Sequence, residues 1–545
     1  MTEEQKTEAI PEAIPGAEEK RKDNLVLART IFLRSLGLVY FIAFISYYFQ
    51  ALGLNGWEGI SSSNRYLELI SSQSGLEKYW LYPTIFWLNS SDLALQAVPL
   101  ICACLSLLVV AGIASGFLLP ILWFCYLSII TVGGDFMSFQ WDILLLETGF
   151  LSLFFADFHA FDCFWVRGRA SRNLGADAAR RRFSLDPLAP PVVMSWLFRL
   201  LIFKLMFSSG CCKLLSGDPN WWNLTALEYH YWTQPLPTPP AWLAAQMPAW
   251  FLKLSCVGVF LSELGLPFLV WGDRRFRLVF AISTVALQII IMVTGNYTFF
   301  NILTIFLCIP ILDDRYLTYL GPAGAKSESA RADLNRVPLG KFRTALTVLM
   351  VSILLLLNGI HSFGRSLVPS AAREYISLLY PWNLVNSYGL FAVMTTTRKE
   401  IIVEGSDDGQ KWIPYSFKFK PGDLHRAPPI VAPYQPRLDW QMWFAALGPL
   451  EDSPWFSQFI FRLLNGSPEV ENLLESKPFA DHAPTYIRAR LEDYRFTDFS
   501  QMQKTGAWWK SSDDGMFFPP ARLKRKVENH FKLDSLPDPN AILRP

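Results

Sequence analysis

Six ionisable residues lie inside or against long apolar runs of this chain: Asp142, Glu147, Arg199, Lys204, Lys213 and Glu263. A charge at bilayer depth is costly unless it faces the interior of a bundle and finds a partner. Two kinds of chemistry fit such a set. One is a structural network of ion pairs, Glu147 or Glu263 with Arg199 or Lys204. The other is an ion path or a catalytic group with a displaced pKa. The paired broken helices of a repeat-built transporter are not found, which argues against transport.

A second cluster sits on FSSGCCKLLSGDPNWWNLTALEYHYWTQPLPTPPAW, residues 207–242. It carries Cys211 and Cys212, Lys213, a Gly217-Asp218-Pro219 turn, Trp221, Trp222, Glu228 and His230. Each has a structural reading. The aromatics suit an interfacial belt, the turn ends a helix, and Lys213 can snorkel to the interface. The prolines hold an extended exit, and a lone histidine such as His230 is usually just hydrogen-bonded. All 8 cysteines precede residue 310. With no CxxC or Cys/His zinc spacing among them, they read as small buried apolar side chains, and neither a metal nor a cofactor is expected.

These residues must be positioned by membrane elements. The chain has 545 residues, 51% hydrophobic and only 18% charged, which points to a polytopic membrane protein. A net charge of +2 gives no reason to expect a nucleic-acid partner. Nine runs read as spans, at about 30–50, 93–112, 116–133, 139–158, 192–213, 250–271, 277–294, 297–313 and 343–361. The fourth is broken by Trp141, Asp142 and Glu147, so it either crosses or re-enters. Basic loops at 167–182, 273–277 and 315–343 belong on the cytoplasmic side. Nine spans then put the N-terminus there too, with the loops 51–92 and 214–249 and the C-terminal part on the other side. The N-x-S/T triplets at Asn89, Asn223 and Asn465 fall on that far side.

Residues 1–26 read as a disordered cytoplasmic tail, 27–363 as the transmembrane domain, 364–525 as a soluble domain and 526–545 as a flexible tail. In the soluble part, EIIVEGSDDGQKWIP alternates around Asp408-Gly409 like a hairpin, and TYIRARLEDYRFTD reads as another strand. DWQMWFAALG and WFSQFIFRLLNGSPEVENLLE read as short helices. The predicted fold is a polytopic α-helical membrane bundle of about nine spans, followed by a soluble α+β domain with a β-sandwich-like part. No Ser-His-Asp elbow or nucleotide-binding glycine loop occurs in it.

Five blocks carry a resemblance. They are GDFMSFQWDILLLETGFLSLFFA, the 207–242 stretch with its preceding helix, TGNYTFFNILTIFLCIPILDD, NSYGLFAVMTTTRKEIIVEGSDDGQKW and PYQPRLDWQMWFAALG. In order, from about residue 29 to about residue 520, they resemble the lipase maturation factor family. The resemblance implies a multi-pass endoplasmic reticulum protein with a chaperone-like role, assisting secreted lipases to reach their active, assembled form. Its soluble domain would engage the client from the lumenal side. Bacterial members imply an alternative setting, the cytoplasmic membrane with the domain facing outward. Exposed aromatics are the expected client contacts: Trp221, Trp222, Trp412, Trp440, Trp443, Trp508 and Trp509.

A fainter resemblance links FSSGCCKLLSGDPNW to the membrane core of the vitamin K-dependent carboxylase group. It implies a membrane-embedded enzyme with Lys213 as base, its pKa lowered by burial or neighbouring charge, and Glu228 and His230 as relay or orienting groups. The chain departs from that pattern by two extra residues before the Trp, and it lacks the lysine that usually precedes the first. On the family reading the protein is a maturation factor and not an enzyme, with Lys213 as an anchor.

Overall fold

The computed structural model of the chain describes residues 25–157, 190–318, 341–363, 376–479 and 481–523. The basic loop 167–182, most of the 315–343 stretch, residues 1–24, 364–375 and the whole tail 526–545 lie outside them.

The first half is a helix bundle: α1 (Val26–Tyr48), α2 (Asp92–Ala111), α3 (Ser115–Gly133), α4 (Gln140–Phe155), α5 (Val192–Leu215), α6 (Ala226–Thr233), α7 (Ala249–Phe260), α8 (Arg274–Thr294), α9 (Phe300–Leu307) and α10 (Lys341–Phe363). Apolar residues run all round α1, α2 and α3, the composition of a helix surrounded by protein and lipid. Local chemistry sets the limits of α2. Ser91 Oγ accepts the Ala94 N–H, and Gly112 closes the other end in the left-handed conformation, φ 76°.

Among the described residues, 5 helices are long and apolar enough to cross a membrane. They are α1, α2, α3 with the turn that follows it, α7 with its continuation to Trp271, and α8. The expected nine is thus not reached on length and composition. α4 has 16 residues and α9 has 8. α5 carries Arg199, Lys204 and Lys213, and the apolar part of α10 is confined to Ala345–Gly359.

The two ends of the bundle are marked by named contacts. At one end, Asp314 accepts the N–H groups of Leu27 (3.0 Å) and Ala28 (2.9 Å), capping α1 from a distant segment. At the other, about 30 Å along α1, Ser46 Oγ accepts the Gln435 N–H at 3.0 Å. α4 joins the same two ends. Asp142 near its start meets Arg437, and Asp157 just beyond it lies 3.5 Å from Arg29. α4, 16 residues long, thus makes one contact near each end of the bundle.

The C-terminal half contains one antiparallel sheet of β1 (Lys399–Ser406), β2 (Ile413–Pro414), β3 (Tyr486–Phe496) and β4 (Trp509–Ala521), in the order β2-β1-β3-β4. The β1–β2 hairpin turns at Asp408-Gly409. Gly409 takes φ 72°, and Asp408 Oδ1 accepts the N–H groups of Gln410 and Lys411, both at 2.8 Å. No second sheet covers the first among the described residues, so the expected sandwich is corrected to a helix-on-sheet layer. Ile401, Val403, Ile487 and Ala489 bury against α11 (Arg437–Ala445) and α12 (Pro454–Leu464) through Leu438, Met442, Phe456 and Phe459.

The two halves share a core. Trp221, Tyr231, Trp232 and Trp242 from the 214–249 loop pack with Met394, Tyr494, Phe496 and Trp509. The 51–92 loop joins at Gly53, where a Cβ would stand 2.5 Å from the Glu469 carbonyl oxygen and 2.7 Å from Leu473 Cγ. Gly53→Ala is expected to destabilise the full-length protein by about 1–3 kcal/mol, the usual effect of overpacking. Gly258→Ala, where nothing beyond the helix's own adjacent backbone and chain neighbours lies within 4 Å of the new Cβ, is expected to leave the melting temperature in detergent unchanged. Equal effects from the two would remove the close-approach argument.

Candidate functional site

Each intramembrane acid has its own cation, giving three separate pairs. Asp142, fully buried on α4, is bound by Arg437 of α11: Nη1 reaches Oδ2 and Nη2 reaches Oδ1, both at 2.9 Å. Arg437 Nη1 also donates to the Phe136 carbonyl at 2.6 Å, and the Tyr126 hydroxyl donates to Asp142 Oδ1. Glu147 pairs with Lys204 at 2.5 Å, and Lys204 also donates to Asn358 Oδ1 at 3.1 Å. Glu263 pairs with Lys213 and not with Arg199 or Lys204, through Nζ to Oε1 (2.9 Å) and Oε2 (2.8 Å). The buried Arg199 guanidinium lies 4.7 Å from the Trp196 ring centroid.

The Lys213–Glu263 pair depends on two backbone features. Glu263 stands on a π turn, Leu261–Gly265, that widens the helix following α7. Gly210 on α5 lets that turn come close, since a Cβ there would lie 2.7 Å from Leu264 side-chain atoms and 3.0 Å from Glu263 Cβ. Lys213 gives its remaining donor to the Ser209 carbonyl at 3.0 Å, and its ammonium lies 5.4 Å from the Trp221 ring centroid. Its three donors are thereby used. No hydrogen bond joins it to Glu228 or His230 among the described residues.

His230 is half-buried, 3.4 Å from the Tyr297 hydroxyl and edge-on to Phe391. Burial first, and then the positive Lys213, push its pKa down to about 4. Glu228, on the same helix, is half-buried and uses its carbonyl to accept Trp232 Nε1–H at 3.1 Å. Because His230 is harder to protonate folded than unfolded, its contribution to stability is fully present above about pH 6.5. It is lost as pH falls, down to the folded value near 4, by on the order of 3 kcal/mol in all. His230→Gln is expected to flatten that arm of the stability–pH curve, measured by thermal unfolding between pH 7.5 and 4.5.

A strap of the C-terminal half, residues 386–398, bonds to Glu147 of one pair and to the bundle around it. The Asn386 N–H (3.0 Å) and Tyr388 hydroxyl (2.8 Å) donate to Glu147 Oε2, occupying the carboxylate's second oxygen. The Gly389 N–H donates to Gln140 Oε1 at 3.1 Å, and the Phe391 carbonyl accepts Trp221 Nε1–H at 2.9 Å. Asp218 Oδ2 accepts the Met394 N–H at 2.6 Å. Arg398, fully buried, donates to the carbonyls of Trp232, Gln234 and Pro235 at the C-terminal end of α6, where a cation also complements the helix dipole. Asn296 makes the matching clamp from the bundle. Its Nδ2 donates to the carbonyls of Leu236 and Pro429, and its Oδ1 accepts the N–H groups of Val431 and Ala432.

Of the seven tryptophans expected as exposed client contacts, six are buried or half-buried. Trp221, Trp440, Trp443 and Trp509 are buried in the junction: Trp440 packs against Trp141 at 4.7 Å, and Trp443 Nε1 donates to the Thr233 carbonyl at 2.8 Å. Trp412 is half-buried beneath Arg488, and Trp508 packs on Trp242. Trp222 alone of the seven is exposed. The residues that sequence reasoning missed are Arg437, Arg398, Asn386, Tyr388 and Asn296. For Arg437 a signal existed, since a buried Asp142 demands a cation, but nothing local pointed to a helix so far along the chain.

Fold and site together define a membrane helix bundle in which two buried acids, Asp142 and Glu147, are also bound by residues of its own C-terminal half. Two family models match in the same order: the lipase maturation factor transmembrane domain over residues 27–319, and the lipase maturation factor C-terminal domain over residues 384–519. The chain belongs to the lipase maturation factor family. It is 34% identical to lipase maturation factor 2 of Homo sapiens over 91% of this chain and 83% of that protein. It is 34% identical to lipase maturation factor 2 of Xenopus tropicalis over 91% of this chain and 82% of that protein. Lipase maturation factor 1 of Mus musculus is 32% identical over 94% of this chain and 90% of that protein. No solved structure matches the fold.

Proposed function

We propose that this chain is a membrane-bound maturation factor that assists the folding, assembly and activation of secreted lipases, and that it does so without catalysing a reaction. Its setting is the endoplasmic reticulum membrane, with the C-terminal domain, residues 364–525, on the lumenal side as the client-engaging unit and Trp222 among its neighbouring contacts. The segments short of the length and composition for a span, α4, α5, α9 and α10, complete a nine-pass bundle. The observation that carries the non-catalytic reading is the locked state of Lys213: both oxygens of Glu263 and the Ser209 carbonyl take its donors. A base in the carboxylase-like sense needs a free lone pair at that nitrogen. The test is deletion of the protein in its host, followed by measurement of the specific activity, not the amount, of each secreted lipase. The reading requires at least one lipase to be secreted with reduced specific activity, restored by re-expression. Unchanged activity across all of them overturns it.

A further inference from the structure

The 51–92 loop does not simply sit above the bundle. Pro83 and Thr84 are tied to the flank of α3. The Thr131 hydroxyl donates to the Pro83 carbonyl at 3.1 Å, the Thr84 hydroxyl to the Ser128 carbonyl at 3.2 Å, and the Ile85 N–H to Ser128 Oγ at 2.9 Å. α3 ends at Gly133, beside the turn whose carbonyls bind Arg437 and Gln441 of the C-terminal half. Ser128 lies five residues before that end, which at 1.5 Å per residue places it about 7 Å below it. A segment of the C-terminal half descends to the same level. Trp80 Nε1 donates to the Leu378 carbonyl at 2.7 Å, Trp80 and Trp382 have ring centroids 4.8 Å apart, and Trp382 stacks on Trp123 at 6.3 Å. Trp123 is ten residues, about 15 Å, below the end of α3.

These segments turn apolar and aromatic side chains outward. Leu76 is 83% exposed and Leu88 86%, and Tyr79, Trp80, Leu378 and Tyr380 are exposed beside them. The surface continues into the outward face of α2, where Leu93, Leu100 and Ile101 are exposed on a helix long and apolar enough to cross a membrane. Lys78 lies over the rings of Tyr79 and Trp87 and donates to Ser71 Oγ at 2.6 Å, an amphipathic arrangement with a cation at the polar edge. Aromatic rings with polar tips, apolar neighbours and a flanking lysine are the composition that settles at the headgroup–acyl boundary.

We propose that residues 76–88 and 376–382 form one shelf seated in the phospholipid leaflet on the side of the C-terminal domain, so that Leu76 and Leu88 contact acyl chains. The shelf fixes how deep the C-terminal half rides against the bilayer, because Trp80 and Trp382 join its two pieces.

The experiment places a photoreactive residue at the two most exposed large apolar positions of the shelf, Leu76→p-benzoylphenylalanine and Leu88→p-benzoylphenylalanine, in the full chain. Ile430, 77% exposed on the C-terminal half, takes the same substitution as a control. Each protein is reconstituted in nanodiscs of phosphatidylcholine and phosphatidylserine after its gel-filtration profile has been checked, then irradiated and weighed by mass spectrometry. At 76 and 88 the expected product is shifted by the mass of one phospholipid, and the control lacks that shift. The same irradiation in cell membranes reads the other occupants. A polypeptide adduct at 76 and 88 in place of lipid, a cross-linked pair of copies, or the absence of any lipid shift in nanodiscs overturns the proposal.

Discussion

Arg437→Met lowers the stability of the full-length protein by about 3–5 kcal/mol, the expected consequence of leaving a buried carboxylate without its cation. The side chains of Arg437 and Asp142 are both fully buried, and two parallel hydrogen bonds of 2.9 Å join them. A bidentate guanidinium–carboxylate pair is geometrically specific, so lysine at 437 does not replace it. The pair also ties α11 of the C-terminal half to α4 of the bundle, so its loss acts on the junction and not only on one helix. Replacing both partners, Asp142→Leu with Arg437→Met, removes the charge and its partner together and is expected to regain most of the loss. The measurement is thermal unfolding of detergent-solubilised protein, wild type against the two single variants and the double. A double variant no more stable than Arg437→Met would show that the penalty arises from packing and not from an unpaired charge.

That junction is also where the sequence stopped being readable. Apolar runs mark α1, α2, α3 and α8 because a helix in lipid needs about twenty apolar residues in succession, a signal carried within one stretch of chain. The β1–β2 turn was legible for the same reason: Asp408 and Gly409 do their work within four residues. Asp142 announces only that it needs a cation. The partner stands 295 positions away in a helix whose own pattern is that of a short soluble element. The strap 386–398 has neither a helical nor a strand period, since its backbone groups bond to side chains of the bundle and not to a neighbouring strand. β4 was missed because Gly515 and two prolines interrupt its alternation, and the pairing with β3 shifts register three times. The tryptophans misled in the opposite direction. Large aromatics serve both client contacts and cores, and only burial separates Trp440 and Trp443 from Trp222.

Lys213→Met is expected to cost about 3–5 kcal/mol by the same electrostatic logic, because the Glu263 carboxylate then faces α5 with no cation in a buried site. That loss alone does not separate an anchor from a base, since an inactive protein and an unfolded one both fail to mature a lipase. The double variant Lys213→Met with Glu263→Leu separates them. It removes both charges, keeps an apolar side chain on the π turn at Leu261–Gly265, and leaves untouched the close approach that Gly210 permits. Replacing a buried pair by apolar residues of similar size is often neutral, or stabilising by about 1–4 kcal/mol. The double variant should therefore unfold at or above the wild-type temperature. If Lys213 is an anchor, re-expressing this variant in a host lacking the protein restores lipase specific activity, because nothing chemical was lost. A double variant that is fully folded and still fails to restore lipase activity means that the ammonium itself is needed, and the carboxylase-like reading then takes precedence. The pair is a sharper probe than the single substitution because its folded state and its charge state change independently.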